Sequence, residues 1–138
     1  METTKLLAGA AGAEVNIPAE AFPLDGFTGV HDNIYVRVLL LEAGEQAALF
    51  TIDTTNLPEQ IVNTLAAYIA EKTGTPKAHI WGIYTHSTGL PHTAMGGPGG
   101  PGKATGAGGT GRSDEMPEAG NGALVEAAVL KAGYEAVD

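Results

Sequence analysis

The stretch IWGIYTHSTGLPHT, Ile80–Thr93, contains the residues of this chain best suited to chemistry. His86 follows an apolar run, Ser87 comes next, and His92 lies a few positions further on. Histidine exchanges protons near neutral pH and binds zinc, and a neighbouring hydroxyl can contact substrate. His86 is therefore a candidate catalytic residue, His86 and His92 are candidate metal ligands, and Ser87 is a candidate substrate-binding residue.

Asp53 and Arg37 form a second candidate group. Asp53 ends an apolar run, and α/β sheets bind ligands at the carboxyl ends of their strands. With His86, its carboxylate could act in general base catalysis or share a metal; alternatively it caps the next helix. Arg37 lies inside an apolar run, where a buried guanidinium needs a carboxylate such as Asp53 or Asp32. That pair is either structural or a clamp for substrate.

Three strands precede the central helix in the predicted order of elements. Leu6–Ile17 predicts a first strand, whose Gly and Ala residues indicate that another group approaches its backbone closely. Two apolar runs flanking Gly44 predict a β-hairpin of Ile34–Leu41 and Gln46–Ile52. Because both runs are nearly continuously apolar, we expect both of their faces to be covered.

A helix over Leu57–Thr73 follows, with Asn56 as its N-cap and Gly74 at its end. One apolar stripe runs along it: Leu57, Ile61, Leu65 and Ile69. The next strand, His79–Thr85, completes a βαβ crossover. Ala123–Ala136 predicts a second helix.

Together these elements predict one α/β domain over residues 1–138. It has a mixed sheet of about four strands, two helices, and a long Gly/Pro-rich loop over residues 89–122. Within that loop, Gly97–Ala104 imitates a P-loop and Gly106–Gly111 imitates a dinucleotide fingerprint. Neither follows a strand or opens a good helix, so we expect no nucleotide cofactor.

The composition of the chain limits the classes of partner that it can bind. The net charge is −9 and no basic patch exists, which argues against nucleic acid. The chain has no cysteine, so disulfides and thiolate metal sites are excluded. Neither a signal peptide nor a membrane span is evident, and we expect a cytoplasmic protein without membrane insertion.

Three stretches resemble, in order, the N-terminal part of the neutral/alkaline ceramidase family. The resemblance covers about residues 6–93 and places Tyr35, Arg37 and Asp53 at positions of the family pattern. The stretches are LLAGAAGAEVNIP, GVHDNIYVRVLLLEAGEQAALFTID, and the helix followed by AHIWGIYTHSTGLP. In that family the last strand ends in Thr-His-Thr-His-Ser-Gly-Pro, where the first His is a zinc ligand and the second lies in the active site.

Thr85, His86 and Ser87 match the end of that motif, while its first His falls on Tyr84. A neutral phenol is a much poorer zinc ligand than imidazole. The family's other ligands and its serine nucleophile lie beyond the matched region. The resemblance therefore implies the fold, with Tyr84 in place of the first ligand.

Two functions remain as hypotheses. The first is a small stand-alone module, non-catalytic or degenerate, that forms a homo-oligomer and binds a small molecule through residues such as Arg37, Ser87 and Tyr84. It needs no cofactor. The alternative is a metal-assisted hydrolase of an amide or related bond, with zinc and a site at His86 and Asp53. Exposed apolar faces on so small a sheet favour the oligomer.

Overall fold

The computed structural model describes residues 4–23, 28–86 and 119–138, the last range with its side chains from residue 122 onward. Its regular elements form a four-stranded mixed sheet and two helices, which confirms the predicted α/β class. In chain order they are β1 (Leu7–Glu14), β2 (Tyr35–Glu42), β3 (Gln46–Ile52), α1 (Glu59–Thr73), β4 (Ile80–Tyr84) and α2 (Ala119–Val137). Most of the predicted Gly/Pro-rich loop lies outside the described residues.

The sheet has its strands in the order of the chain, β1-β2-β3-β4. β1 pairs antiparallel with β2, and β2 pairs antiparallel with β3. The hairpin between β2 and β3 turns at Gly44, whose φ of 84° suits glycine. β4 pairs parallel with β3, because α1 carries the chain back across the sheet as the βαβ pattern predicted.

The helices pack on one face of this sheet and form the core there. The predicted stripe of α1 is buried, with Leu65 and Ile69 each 1% exposed. α2 contacts β1, β2 and α1. The strands contribute alternate residues to the same core, among them Val36, Val38, Phe50 and Ile52.

The opposite face of the sheet, here called the open face, is formed by the odd-numbered residues of β2, β3 and β4 and the even-numbered residues of β1. Leu39 is 36% exposed, Ile83 45% and Trp81 52%. The expectation that both faces of the hairpin strands are covered is therefore wrong for the described part of the chain. The apolar runs indicated two faces that avoid water, but they could not indicate what would cover the second face.

The ends of the helices differ from the sequence-based prediction. α1 begins after Pro58, and no side chain caps it. Asn56, the predicted cap, instead donates its backbone N–H to Thr54 Oγ1 at 3.4 Å. Gly74 ends the helix in the left-handed conformation, as predicted. α2 begins at Ala119, four residues before the predicted start at Ala123.

Candidate functional site

The carboxyl ends of β3 and β4 bring two predicted site residues to the same edge of the sheet. Ile52 pairs with Tyr84, and the Thr85 N–H donates to the Ile52 carbonyl at 3.1 Å. Asp53 and His86 therefore follow adjacent parallel strands, where α/β folds place ligands. Within the described ranges, however, no hydrogen bond or ion pair joins these two side chains.

Asp53 is held from the other side, by β2. Arg37 Nη1 donates to both of its carboxylate oxygens, at 3.1 Å to Oδ1 and 2.9 Å to Oδ2. The backbone N–H of Tyr35 donates to Oδ2 at 3.0 Å. These bonds tie the end of β3 to the start of β2. The Asp53 side chain therefore joins two strands and does not cap α1.

Arg37 lies on the open face and is half exposed, with 51% of its side chain accessible. The expectation of a buried guanidinium is therefore wrong, although the predicted partner Asp53 is present. The guanidinium carbon lies 4.7 Å from the centre of the Tyr35 ring, which orients the group by a cation–π contact. Because both bonds to Asp53 use Nη1, the Nη2 and Nε edge donates to no described residue.

Asp32, the other carboxylate considered for Arg37, lies elsewhere. It contacts its neighbour His31, with 3.2 Å between His31 Nδ1 and Asp32 Oδ1. Both side chains are almost fully exposed. An exposed contact of this kind contributes little to stability.

Tyr84 lies on the helix side of the sheet, opposite to Arg37. Its hydroxyl donates to the Leu57 carbonyl at 3.1 Å, and its ring packs against the core. This bond joins the end of β4 to the segment before α1. A phenol engaged in this way fastens two elements together and does not face Arg37.

His86 is exposed and has a φ of 58°. Among non-glycine residues of the described part, it alone has positive φ. Histidine adopts this conformation more readily than most residues, and unusual backbone geometry often occurs at functional sites. Ser87 and His92 lie outside the described residues. In the part of the chain that the structure describes, no three His, Asp or Glu side chains form a group that could hold a metal.

A concavity of about 710 Å³ lies on the open face beside Arg37. Its apolar wall comes from Leu39 and Leu49, and its polar end from Arg37 and Thr51. It exists because β1 presents only Ala10 and Gly12 beside the longer side chains of the next strands. Among the described residues, Ala11, Tyr35 and Val38 also line it.

Gly12 fits the expected close contact of the first strand. A Cβ atom built on Gly12 would lie 3.2 Å from Arg37 Cγ, which is tighter than most Cβ contacts in proteins. Glycine therefore lets the stem of Arg37 lie across β1. The small residues of β1 were the sequence signal for this concavity. Its position depended on the pairing of β1 with β2, which the sequence did not show.

The described residues define a small α/β protein with a four-stranded mixed sheet and a polar-ended concavity on its open face. No family model, curated protein or solved structure matches the chain. The resemblance to neutral ceramidases therefore stays a prediction that depends on the motif residues. None of the described helices is long and apolar enough to cross a bilayer.

Proposed function

We propose that this protein is a ligand-binding module and that its ligand occupies the concavity beside Arg37. The observation that carries the proposal is a half-exposed arginine at one end of an apolar concavity of about 710 Å³. Ligand pockets commonly combine such an apolar wall with a few placed polar groups. We expect the module to be non-catalytic, because Tyr84 stands where the ceramidase motif has its first zinc ligand.

The charge of the site indicates the kind of ligand. Arg37 is already paired with Asp53, so the pair is neutral as a whole, and the chain carries a net charge of −9. A strongly anionic ligand would be repelled, whereas a neutral one would not. The Nη2 and Nε edge of Arg37, which donates to no described residue, can donate to a carbonyl or hydroxyl oxygen. We therefore expect an apolar, uncharged molecule with one hydrogen-bond acceptor.

Titration with Nile red, a neutral apolar dye that carries a carbonyl, tests this proposal. We expect saturable binding to the wild-type protein. Arg37→Met keeps the apolar stem but removes the donors, and a hydrogen bond from a charged group contributes about 1.5 kcal/mol or more. Affinity should therefore fall by about tenfold.

Lys131→Met is the matched control, since it removes an exposed cation on α2 far from the open face. It should leave the affinity unchanged. Arg37→Met also leaves Asp53 without its partner, so circular dichroism must show that the variant is folded. Equal dye affinity in a folded Arg37→Met variant and the control would refute the proposal.

The metal-assisted hydrolase is the second candidate. The observation in its favour is the parallel pairing that places Asp53 and His86 at neighbouring strand ends. Against it, both Asp53 oxygens already accept hydrogen bonds from β2. Stoichiometric zinc in the purified protein, lost in His86→Ala, would favour the hydrolase over the module. If the protein holds no zinc after refolding with zinc present, the module is the better interpretation.

We also propose that the module works as a homo-oligomer. Three large apolar side chains of the open face are well exposed: Leu39, Trp81 and Ile83. Soluble monomers rarely expose large contiguous apolar patches. The cytoplasmic location expected from the sequence stays a prediction, which cell fractionation would test.

A further inference from the structure

The open face slopes from one edge of the sheet to the other. Ala10, Leu39, Leu49 and Trp81 lie in register as one row across the four strands. Side chains in this row grow from a methyl group on β1 to an indole on β4. The next row ends with Ile83 on β4, beside Trp81. The β1 edge of the face, where side chains are short, is therefore its low edge, and the β4 edge, where they are long, is its high edge.

This slope is self-complementary. A twofold axis parallel to the strands, placed between two copies, puts β4 of one copy over β1 of the other. The high edge then meets the low edge. We propose that two copies of this chain pack face to face in this way, with Trp81 of each copy seated in the concavity of its partner. The proposal rests on the proposed function only in treating that concavity as a binding surface.

Charge favours a second copy as the occupant. The chain carries 16 acidic and 7 basic residues, yet on the open face of the described strands Glu14 is the one charged residue outside the Arg37–Asp53 pair. A basic partner would find little to pair with there. Two like-charged copies, by contrast, can approach through a face that is almost neutral.

The size of the face predicts a weak dimer. Four strands about 4.8 Å apart and about seven residues long give a flat footprint on the order of 400 Å² per copy. Side-chain relief increases the accessible area, so both copies together bury on the order of 1,000 Å². This is the low end for specific interfaces, where weak and transient complexes are found, so we expect a dimer that dissociates on dilution.

Trp81 is the single tryptophan of the chain, so its emission reports on this face alone. We expect emission to move to shorter wavelength as protein concentration rises, in step with dimer formation measured by sedimentation velocity. Added salt should strengthen the dimer, because it screens the repulsion between acidic copies.

Ile83→Lys places a charge on the high edge and should keep the protein monomeric, with long-wavelength emission at every concentration. Ala67→Lys adds the same charge to an exposed position on α1 and should dimerise like the wild type. Three results would overturn the proposal. They are a monomer at all concentrations, a dimer whose Trp81 emission does not change, and a monomer whose Trp81 is already shielded because the face is covered within one chain.

The same variants separate this proposal from the proposed function. Ile83 does not line the concavity, so the folded Ile83→Lys monomer should still bind Nile red. If it dimerises poorly but binds dye, both proposals stand. If the wild type dimerises through Trp81 and no form binds dye, the dimer stands and the ligand proposal fails. Where both hold, dye should shift the wild type toward monomer, since dye and Trp81 compete for one concavity.

Discussion

Gly133 of α2 lies against Leu65 of α1. This packing predicts that Gly133→Ala has the opposite effect on stability from the one that helix propensity alone would give. A Cβ atom built on Gly133 would lie 2.2 Å from Leu65 Cδ2 and 3.2 Å from Cδ1. Leu65 is only 1% exposed, so it cannot swing into solvent. We expect Gly133→Ala to destabilise the wild-type protein, although alanine is normally the better helix residue.

The sizes of two opposing effects decide whether Gly133→Ala stabilises or destabilises the protein. Overpacking a core destabilises a protein by about 1–3 kcal/mol, whereas replacing a mid-helix glycine by alanine stabilises it by about 1 kcal/mol. The net effect of Gly133→Ala is then a loss of about 1 kcal/mol. Leu65→Ala by itself should cost about 2–5 kcal/mol. In that background the clash is absent, and the methyl group added at position 133 fills part of the cavity.

In the Leu65→Ala background, Gly133→Ala should therefore stabilise the protein. We expect about 1 kcal/mol from helix propensity and about 0.8 kcal/mol from the buried methyl group. The two substitutions are coupled by about 3 kcal/mol, at the upper end for neighbouring residues. Urea denaturation followed by circular dichroism measures all four species of this cycle.

Ala127→Gly is the control, because Ala127 is an exposed residue of the same helix and reports the propensity term alone. It should cost about 1 kcal/mol. If Gly133→Ala instead stabilises the wild type by the amount that the control loses, the helices are further apart than the structure has them, and the packing argument is wrong.

Two further predictions concern packing and titration. Gly82→Ala should cost about 1–3 kcal/mol in urea denaturation, because its Cβ would lie 2.5 Å from Cζ of the rigid, buried Phe50 ring; an unchanged midpoint would contradict this. The hydrogen bond to Asp138 raises the pKa of Tyr68 to about 12, so its stabilising effect is complete below pH of about 10 and disappears as pH rises toward 12. Asp138→Asn should lower that pKa in an ultraviolet absorbance titration, and an unaltered titration curve would show that the bond does not form in solution.

The elements that could be predicted from the sequence are those with a local cause. The stripe through Leu65 predicted α1, the glycine at position 74 predicted its end, and the run after it predicted β4. The N-terminal boundaries were less accurate. Asn56 has the right residue type for a cap, but Thr54 accepts its N–H and Pro58 takes the cap position.

The candidate site depended on contacts that no local pattern specifies. Residue types alone indicated that Arg37 needs a carboxylate, and Asp53 supplies it. Residue types alone could not predict that Arg37 is exposed, because its exposure depends on which face of the sheet the helices leave open. The apolar row from Ala10 to Trp81 needs the pairing of all four strands, and a shift of one residue would turn each side chain to the other face.

The Arg37–Asp53 pair links the two candidate functions. An ionised carboxylate offers about four acceptor positions, and Asp53 accepts three hydrogen bonds from β2. Those bonds hold the carboxylate against Arg37, which lines the concavity. An Asp53 that turned toward His86 would give up bonds to Arg37 and weaken the only ion pair that the described part of the chain gives this guanidinium. The contacts beside the concavity therefore oppose a shared catalytic role of Asp53 and His86, and this competition favours the proposed module over the hydrolase.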